Sequence, residues 1–187
     1  MTKSDPQDLP RLLFMVGSLR TTSASRALAR ALRDAMAPLA EITEADIGSL
    51  PLYNADVTDN PEVARLIEQV RSADGVVFVT PEYNYSVPGV LKNAIDWVSR
   101  PAYNSAFLNK NCFVVSLSGG AMGGVRAQAH LKYILNGMVA HVFPCQEVIV
   151  PFGNDKTEDG RFTHQPTLDF ATARLQDFLA ALPVGTT

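Results

Sequence analysis

Short apolar runs rich in β-branched residues alternate along this chain with longer segments whose apolar positions recur at helical spacing. Arg11 to Val16 reads as a first strand. Ser25 to Leu39 reads as a helix, with Leu28, Leu32 and Ala35 spaced for one face. Glu41 to Ile47 is a weaker strand, followed by a loop with Pro51 and Tyr53. Asn60 is placed to cap a helix over Pro61 to Ser72, whose first turn holds Pro61. Gly75 to Thr80 (G-V-V-F-V-T) is continuously apolar, as a buried parallel strand should be. It stops at Pro81, and a helix over Pro88 to Arg100 follows, with Ser86 as its cap. Cys112 to Leu117 is a fourth strand, and Gly123 to Met138 is a helix. Val142 to Val150 is a fifth strand interrupted by Pro144. Gly153 to Gln165 is polar and loop-like, with Asp155, Glu158 and Gly160. Leu168 to Leu182 closes the chain as a helix.

Alternation of this kind specifies a parallel sheet with right-handed crossovers and helices on both faces. Five strands favour the flavodoxin-like doubly wound α/β arrangement, a three-layer α/β/α stack with strand order 2-1-3-4-5. A chain of 187 residues fits a single domain, with residues 1–10 as a flexible leader.

Composition narrows the function classes. A formal net charge of −3 leaves no electrostatic footprint for nucleic acid or an anionic membrane. No apolar run approaches the roughly 20 residues that span a bilayer. The first ten residues lack the basic start and apolar middle of a signal peptide. Cys112 and Cys145 are too few for a disulfide framework and read as reduced core residues, which points to the cytoplasm. His130, His141 and His164 lie in separate segments without metal spacing, so no metal ligands are assigned.

Three loops carry the candidate chemistry, and each follows a strand at the carboxyl edge of the expected sheet, where open α/β sheets bind ligands. The first, Gly17 to Arg26, places serine and threonine hydroxyls and Arg20 before a helix N-terminus, an arrangement suited to a terminal phosphate. It is neither G-x-x-x-x-G-K-[ST] nor G-x-G-x-x-G. The second, Pro81 to Ser86, offers an acid, two tyrosines and an asparagine. The third, Ser116 to Arg126, has four glycines in the six residues from Gly119 to Gly124 and lets backbone approach a ligand closely. A phosphate grip, aromatic and amide contacts and a backbone wall suit a flat mononucleotide better than a dinucleotide.

G-S-L-R-x-x-S-x-x-R at Gly17 to Arg26, P-E-Y-N-x-S-x-P-G-x-L-K-N-A-I-D-W at Pro81 to Trp97, and S-G-G-x-x-G-G-x-R-A-Q at Ser118 to Gln128 resemble the NADPH-dependent FMN reductase family, which includes quinone, azo-dye and chromate reductases. The resemblance implies bound FMN, NADPH or NADH as co-substrate, a small-molecule electron acceptor, and assembly into homodimers or homotetramers. Carried over by position, Ser18, Arg20, Ser23 and Ser25 would hold the phosphate, with backbone help at Ala24. Pro81, Glu82, Tyr83 and Asn84 would line the flavin ring, and Ser118, Gly119 and Gly120 would touch it. Ser25 stands where the family often has asparagine.

On this reading the flavin carries the chemistry and no side chain is catalytic. NAD(P)H would give a hydride to N5, and quinones, free flavin or similar acceptors would be reduced in a ping-pong scheme on one open face. The Gly119–Gly120 amides are candidates for stabilising charge at the N1 side. Glu82 braces its loop or meets the ring by its backbone. The helix over Pro88 to Arg100, with Val90, Leu91, Ile95, Trp97 and Val98, is a candidate contact between subunits. Two other readings stay open: a flavodoxin-type electron carrier, and a flavin-bound redox sensor without a substrate of its own. A hydrolase using Ser18 lacks the G-x-S-x-G elbow.

Overall fold

The computed structural model describes residues 9–183; except for Leu9 and Pro10, the expected leader lies outside them. Five strands and one strand segment form a parallel sheet. β1 (Arg11–Val16) pairs with β2 (Glu41–Glu44) on one side and with β3 (Gly75–Pro81) on the other. β3 pairs along its length with β4 (Asn111–Leu117). The last position on the sheet is shared by β5 (His141–Val142) and β6 (Val148–Val150), which pair with opposite ends of β4. The order is therefore 2-1-3-4-5, the flavodoxin-like arrangement.

Alternate residues of the central strands serve the two faces, as the pleat requires. Leu13 and Met15 of β1 and Val76 and Phe78 of β3 pack against helices α2 (Pro61–Ser72), α3 (Gly89–Val98) and α4 (Val125–Gly137). Leu12, Phe14 and Val16, with Val77 and Val79, pack against α1 (Ala24–Met36) and α5 (Gln165–Ala180). The core is thus two apolar layers separated by one sheet, and it fixes the carboxyl ends of β1, β3 and β4 side by side.

Several boundaries differ from the sequence reading. The cap of α1 is Ser23, whose hydroxyl accepts from the Arg26 amide, so the helix starts one residue before Ser25. β2 stops at Glu44, where Arg26 and Arg33 both pair with its carboxylate. Ser86 does not cap α3: Pro88 holds that position, and the Ser86 hydroxyl bonds His130 Nδ1 at 3.0 Å. Pro144 splits the fifth strand rather than merely interrupting it. The Gln128 amide bridges the gap, donating to the carbonyls of Val114 at 3.1 Å and Val148 at 3.3 Å. The polar stretch after β6 contains an antiparallel hairpin, β7 (Thr157–Glu158) and β8 (Arg161–Phe162), which Phe162 anchors in the core beside α1.

Most of the apolar surface of α3 is spent within the chain, and Val90 is left half-buried. Leu91, Ile95, Trp97 and Val98 are buried within the chain. The indole N–H of Trp97 and the Asn93 amide both donate to the Pro51 carbonyl, at 2.8 and 2.9 Å. These bonds spend the helix's outer edge on the Pro51–Tyr53 loop.

Candidate functional site

Loops after β1, β3, β4 and β6 enclose a cleft of about 380 Å³ at the carboxyl edge of the sheet. This is within the roughly 300–1,000 Å³ usual for small-molecule sites. Ser18, Arg20, Ser23, Ala24 and Ser25 line one end; Pro81, Glu82 and Tyr83 line another wall; Leu117, Ser118, Gly119 and Asn154 close it. A slightly smaller cavity, lined by residues such as Asn136, His141 and Phe178, lies at the opposite edge of the sheet, away from these loops.

The polar end is built by the turn into α1. The Ser23 amide donates to the Arg20 carbonyl and its hydroxyl receives the Arg26 amide. The Ala24 and Ser25 amides make no hydrogen bond to other described residues, as the first turn of a helix dictates. Ser18 and Ser25 are buried there, 1% and 2% exposed. Arg20 is exposed and forms no ion pair among the described residues. The neighbouring Arg26 is spent on structure: its Nε donates to the Ser18 carbonyl at 2.9 Å and its Nη1 to Glu44 at 2.9 Å. The result is a concentration of free donors and one free cation at a helix N-terminus.

The second wall is a tight turn. Tyr83 and Ser86 exchange backbone hydrogen bonds at 3.0 and 3.1 Å, and Asn84 and Tyr85 between them have φ of 48° and 67°. Two left-handed residues in a row make a hairpin turn of the kind asparagine tolerates. Asn84 is not among the residues that line the cleft, whereas Tyr83 lines it and brings its hydroxyl to 3.3 Å from that of Ser18.

Glu82 is held from behind. Its carboxylate accepts from the Arg126 amide at 3.0 Å, the Arg126 guanidinium at 3.0 Å and the Ala127 amide at 3.4 Å. Burial opposes its charge, but the bonds from the Arg126 side chain and from the Ala127 and Arg126 amides prevail and hold its carboxyl below the usual range. The same guanidinium lies 4.5 Å from the centre of the Tyr85 ring. Glu82 thus ties the β3 loop to the N-terminus of α4.

The third wall rests on glycines that only the three-dimensional structure distinguishes. Gly123 and Gly124 have φ of 58° and 83°, and a Cβ on Gly123 would meet Ile149 at 2.5 Å and the Pro151 nitrogen at 2.9 Å. Gly119 needs no unusual φ; a Cβ there would touch the side-chain amide of Asn154 at 2.7 Å. Gly120 is not among the residues that line the cleft, and its carbonyl receives the Ser118 hydroxyl and the Phe152 amide.

Asn154 and Leu117 are cleft residues that the motif reading did not name. Asn154 follows β6, so the rule that led to the other three loops, attention to carboxyl ends of strands, leads to it as well. No cluster of three or more histidine, cysteine or acidic side chains suited to a metal occurs among the described residues, and no described helix is long and apolar enough to cross a membrane.

Residues 10–155 match the model of the NADPH-dependent FMN reductase family. A 2-hydroxy-1,4-benzoquinone reductase of a Burkholderia species is 38% identical over 89% of this chain and 97% of its own. The quinone reductase of Escherichia coli K12 is 39% identical over 90% of this chain and 93% of its own. Among solved structures, the flavoenzyme FerB, an NAD(P)H:(acceptor) oxidoreductase from Paracoccus denitrificans, superposes with a TM-score of 0.84 at 32% identity, over 92% of this chain and 96% of its own. The match covers the three motif loops and the strands that carry them, and the chain belongs to the NADPH-dependent FMN reductase family.

Proposed function

We propose that the chain is one flavodoxin-like domain that holds FMN in the cleft described above and reduces small acceptors with NADPH or NADH. The observation that carries this reading is the polar end of the cleft. Two buried serine hydroxyls line that end with two helix amides and the Arg20 guanidinium, which have no partner among the described residues, a donor set suited to a phosphate. Pro81, Glu82 and Tyr83 with Leu117, Ser118 and Gly119 line the rest of the cleft, a mixed aromatic, apolar and polar wall suited to a ring.

When bound, FMN would supply the redox chemistry between NAD(P)H and quinones, free flavin or similar acceptors. The chain's own part is positional. Ser18, Arg20, Ser23 and Ser25, with the Ala24 amide, fix the phosphate and so the register of the ring. The Ser18–Tyr83 contact links the phosphate end to the ring wall. Glu82, committed to Arg126 and α4, shapes the loop and moves no proton. Amides of the Gly119 loop, which lines the cleft, would be available to stabilise negative charge on the reduced ring. The cleft opens beside the half-exposed Tyr83, so donor and acceptor use one face in turn, a ping-pong order.

Cys112, buried and with its thiol pushed up to about 12, and Cys145 are both free, which supports a reducing, cytoplasmic setting. Homodimer or homotetramer assembly remains part of the reading, with the half-buried Val90 on α3 still available to a contact. The visible spectrum of the purified protein, followed by anaerobic titration with NAD(P)H, tests the assignment. A yellow protein that bleaches and recolours with a quinone is expected. A chain that takes up no FMN overturns it.

A further inference from the structure

The cleft does not end at the phosphate grip. Beyond Arg20, Ala24 and Asn154, which line both spaces, a groove of about 410 Å³ runs between Thr22 and the tip of the β7–β8 hairpin at Asp159 and Gly160. We propose that this groove is an adenylate subsite, so that the chain binds FAD as well as FMN, with the adenosine monophosphate half lying along the hairpin. The inference rests on the placement of FMN argued above.

Three observations carry it. The groove leaves the cleft at its phosphate end rather than at the ring wall of Pro81 and Tyr83. The part of a flavin cofactor that continues from that end is the second phosphate and adenosine of FAD. FAD spreads over two phosphates the two negative charges that FMN carries on one, so no second cation is required. Arg20, exposed and without an ion pair among the described residues, stands at the junction where a pyrophosphate would pass.

The groove is also built in advance. Arg30 donates to the Gly160 carbonyl at 2.7 Å and to the Thr21 carbonyl at 3.4 Å, pinning the hairpin tip to the loop after β1. Phe162 anchors the hairpin from below. A groove held open in this way costs little ordering when a ligand enters.

Its chemistry fits a ribose. Asp159 is exposed at the hairpin tip and forms no ion pair among the described residues. A carboxylate so placed accepts hydrogen bonds from vicinal ribose hydroxyls and repels a ribose phosphate. The Asn154 amide and Thr22 hydroxyl add donors and acceptors along the wall.

The test is calorimetric titration of flavin-free protein with riboflavin, FMN and FAD. FAD is expected to bind within about tenfold of FMN. Asp159→Gly, where glycine keeps the φ of 46°, and Thr22→Trp, which fills the groove, should each weaken FAD by about tenfold or more and FMN by less than about twofold. Unchanged FMN binding also shows that each variant is folded. Tight FMN with FAD about a hundredfold weaker overturns the subsite and leaves the FMN reading standing. Binding of neither flavin overturns both. Equal losses for FMN and FAD in Asp159→Gly make the hairpin merely structural and overturn the proposal. So does an effect confined to the KM for NADH, which assigns the groove to the pyridine nucleotide.

Discussion

Glu82 caps helix α4 from a loop 44 residues earlier in the chain: its carboxylate accepts the amide and the guanidinium of Arg126, each at 3.0 Å. Glu82→Gln keeps one acceptor and loses the charge. It should therefore loosen the β3 loop by about 1–2 kcal/mol, less than a fully buried pair because Arg126 is 41% exposed. The hydride step should change less than about tenfold, since a general acid or base contributes about 10²–10⁴-fold. Stopped-flow flavin bleaching under anaerobic conditions reads that step; a thousandfold loss with FMN fully bound would make this carboxylate catalytic.

The same pair sets a pH dependence. The folded carboxyl lies below its unfolded value of about 4.3, so its contribution is present above that pH and is lost as pH falls through the folded value. Urea denaturation of the wild type and of Glu82→Gln should differ from neutral pH down to about pH 5 and converge in stronger acid. A constant difference across that range would mean that the charge is irrelevant.

Arg20→Ala should weaken FMN by about tenfold to a hundredfold and riboflavin far less, because riboflavin lacks the phosphate. Flavin fluorescence measures both affinities. Equal losses would remove Arg20 from the phosphate end.

The glycines of the β4 loop should respond unequally. Gly123→Ala meets backbone atoms of Val150 and Pro151 at φ 58° and should cost about 2–4 kcal/mol. Gly119→Ala meets only the end of the Asn154 side chain, which can rotate, so stability should stay within about 1 kcal/mol while flavin affinity falls. Thermal unfolding and flavin titration together separate the two; equal loss of stability at both positions would contradict this division.

Gln128 should prove more costly to replace than a single buried amide. In Gln128→Leu the carbonyls of Val114 and Val148 lose their donor at the strand break, for about 2–4 kcal/mol in all. Gln128 Oε1 has no hydrogen-bond partner among the described residues, so its removal relieves one unsatisfied buried acceptor and offsets part of that loss. Chemical denaturation reads the loss, and a neutral substitution would mean that the two carbonyls find other donors.

Much of this protein is local in origin and was legible in the sequence. The β-branched run at Gly75–Thr80 forms a strand because burial on both faces selects such residues, and Asn60 followed by Pro61 starts a helix at the residue foreseen. Loops at the carboxyl ends of parallel strands follow from that alternation. Ser18, Arg20, Ser23, Ala24, Ser25, Pro81, Glu82, Tyr83, Ser118 and Gly119 accordingly meet in one cleft. What the tertiary structure alone decided concerns partners far apart in the chain. Burial of Trp97 depends on the Pro51 carbonyl 46 residues earlier, and the role of Glu82 depends on Arg126. Asn84 sits in a hairpin turn with positive φ that its sequence alone does not announce, and Asn154 entered the cleft because β6 delivers the chain beside Gly119. Periodicity reports which side of an element is apolar. It carries no record of which distant backbone group will satisfy a given side chain, and that pairing determined the walls of the site.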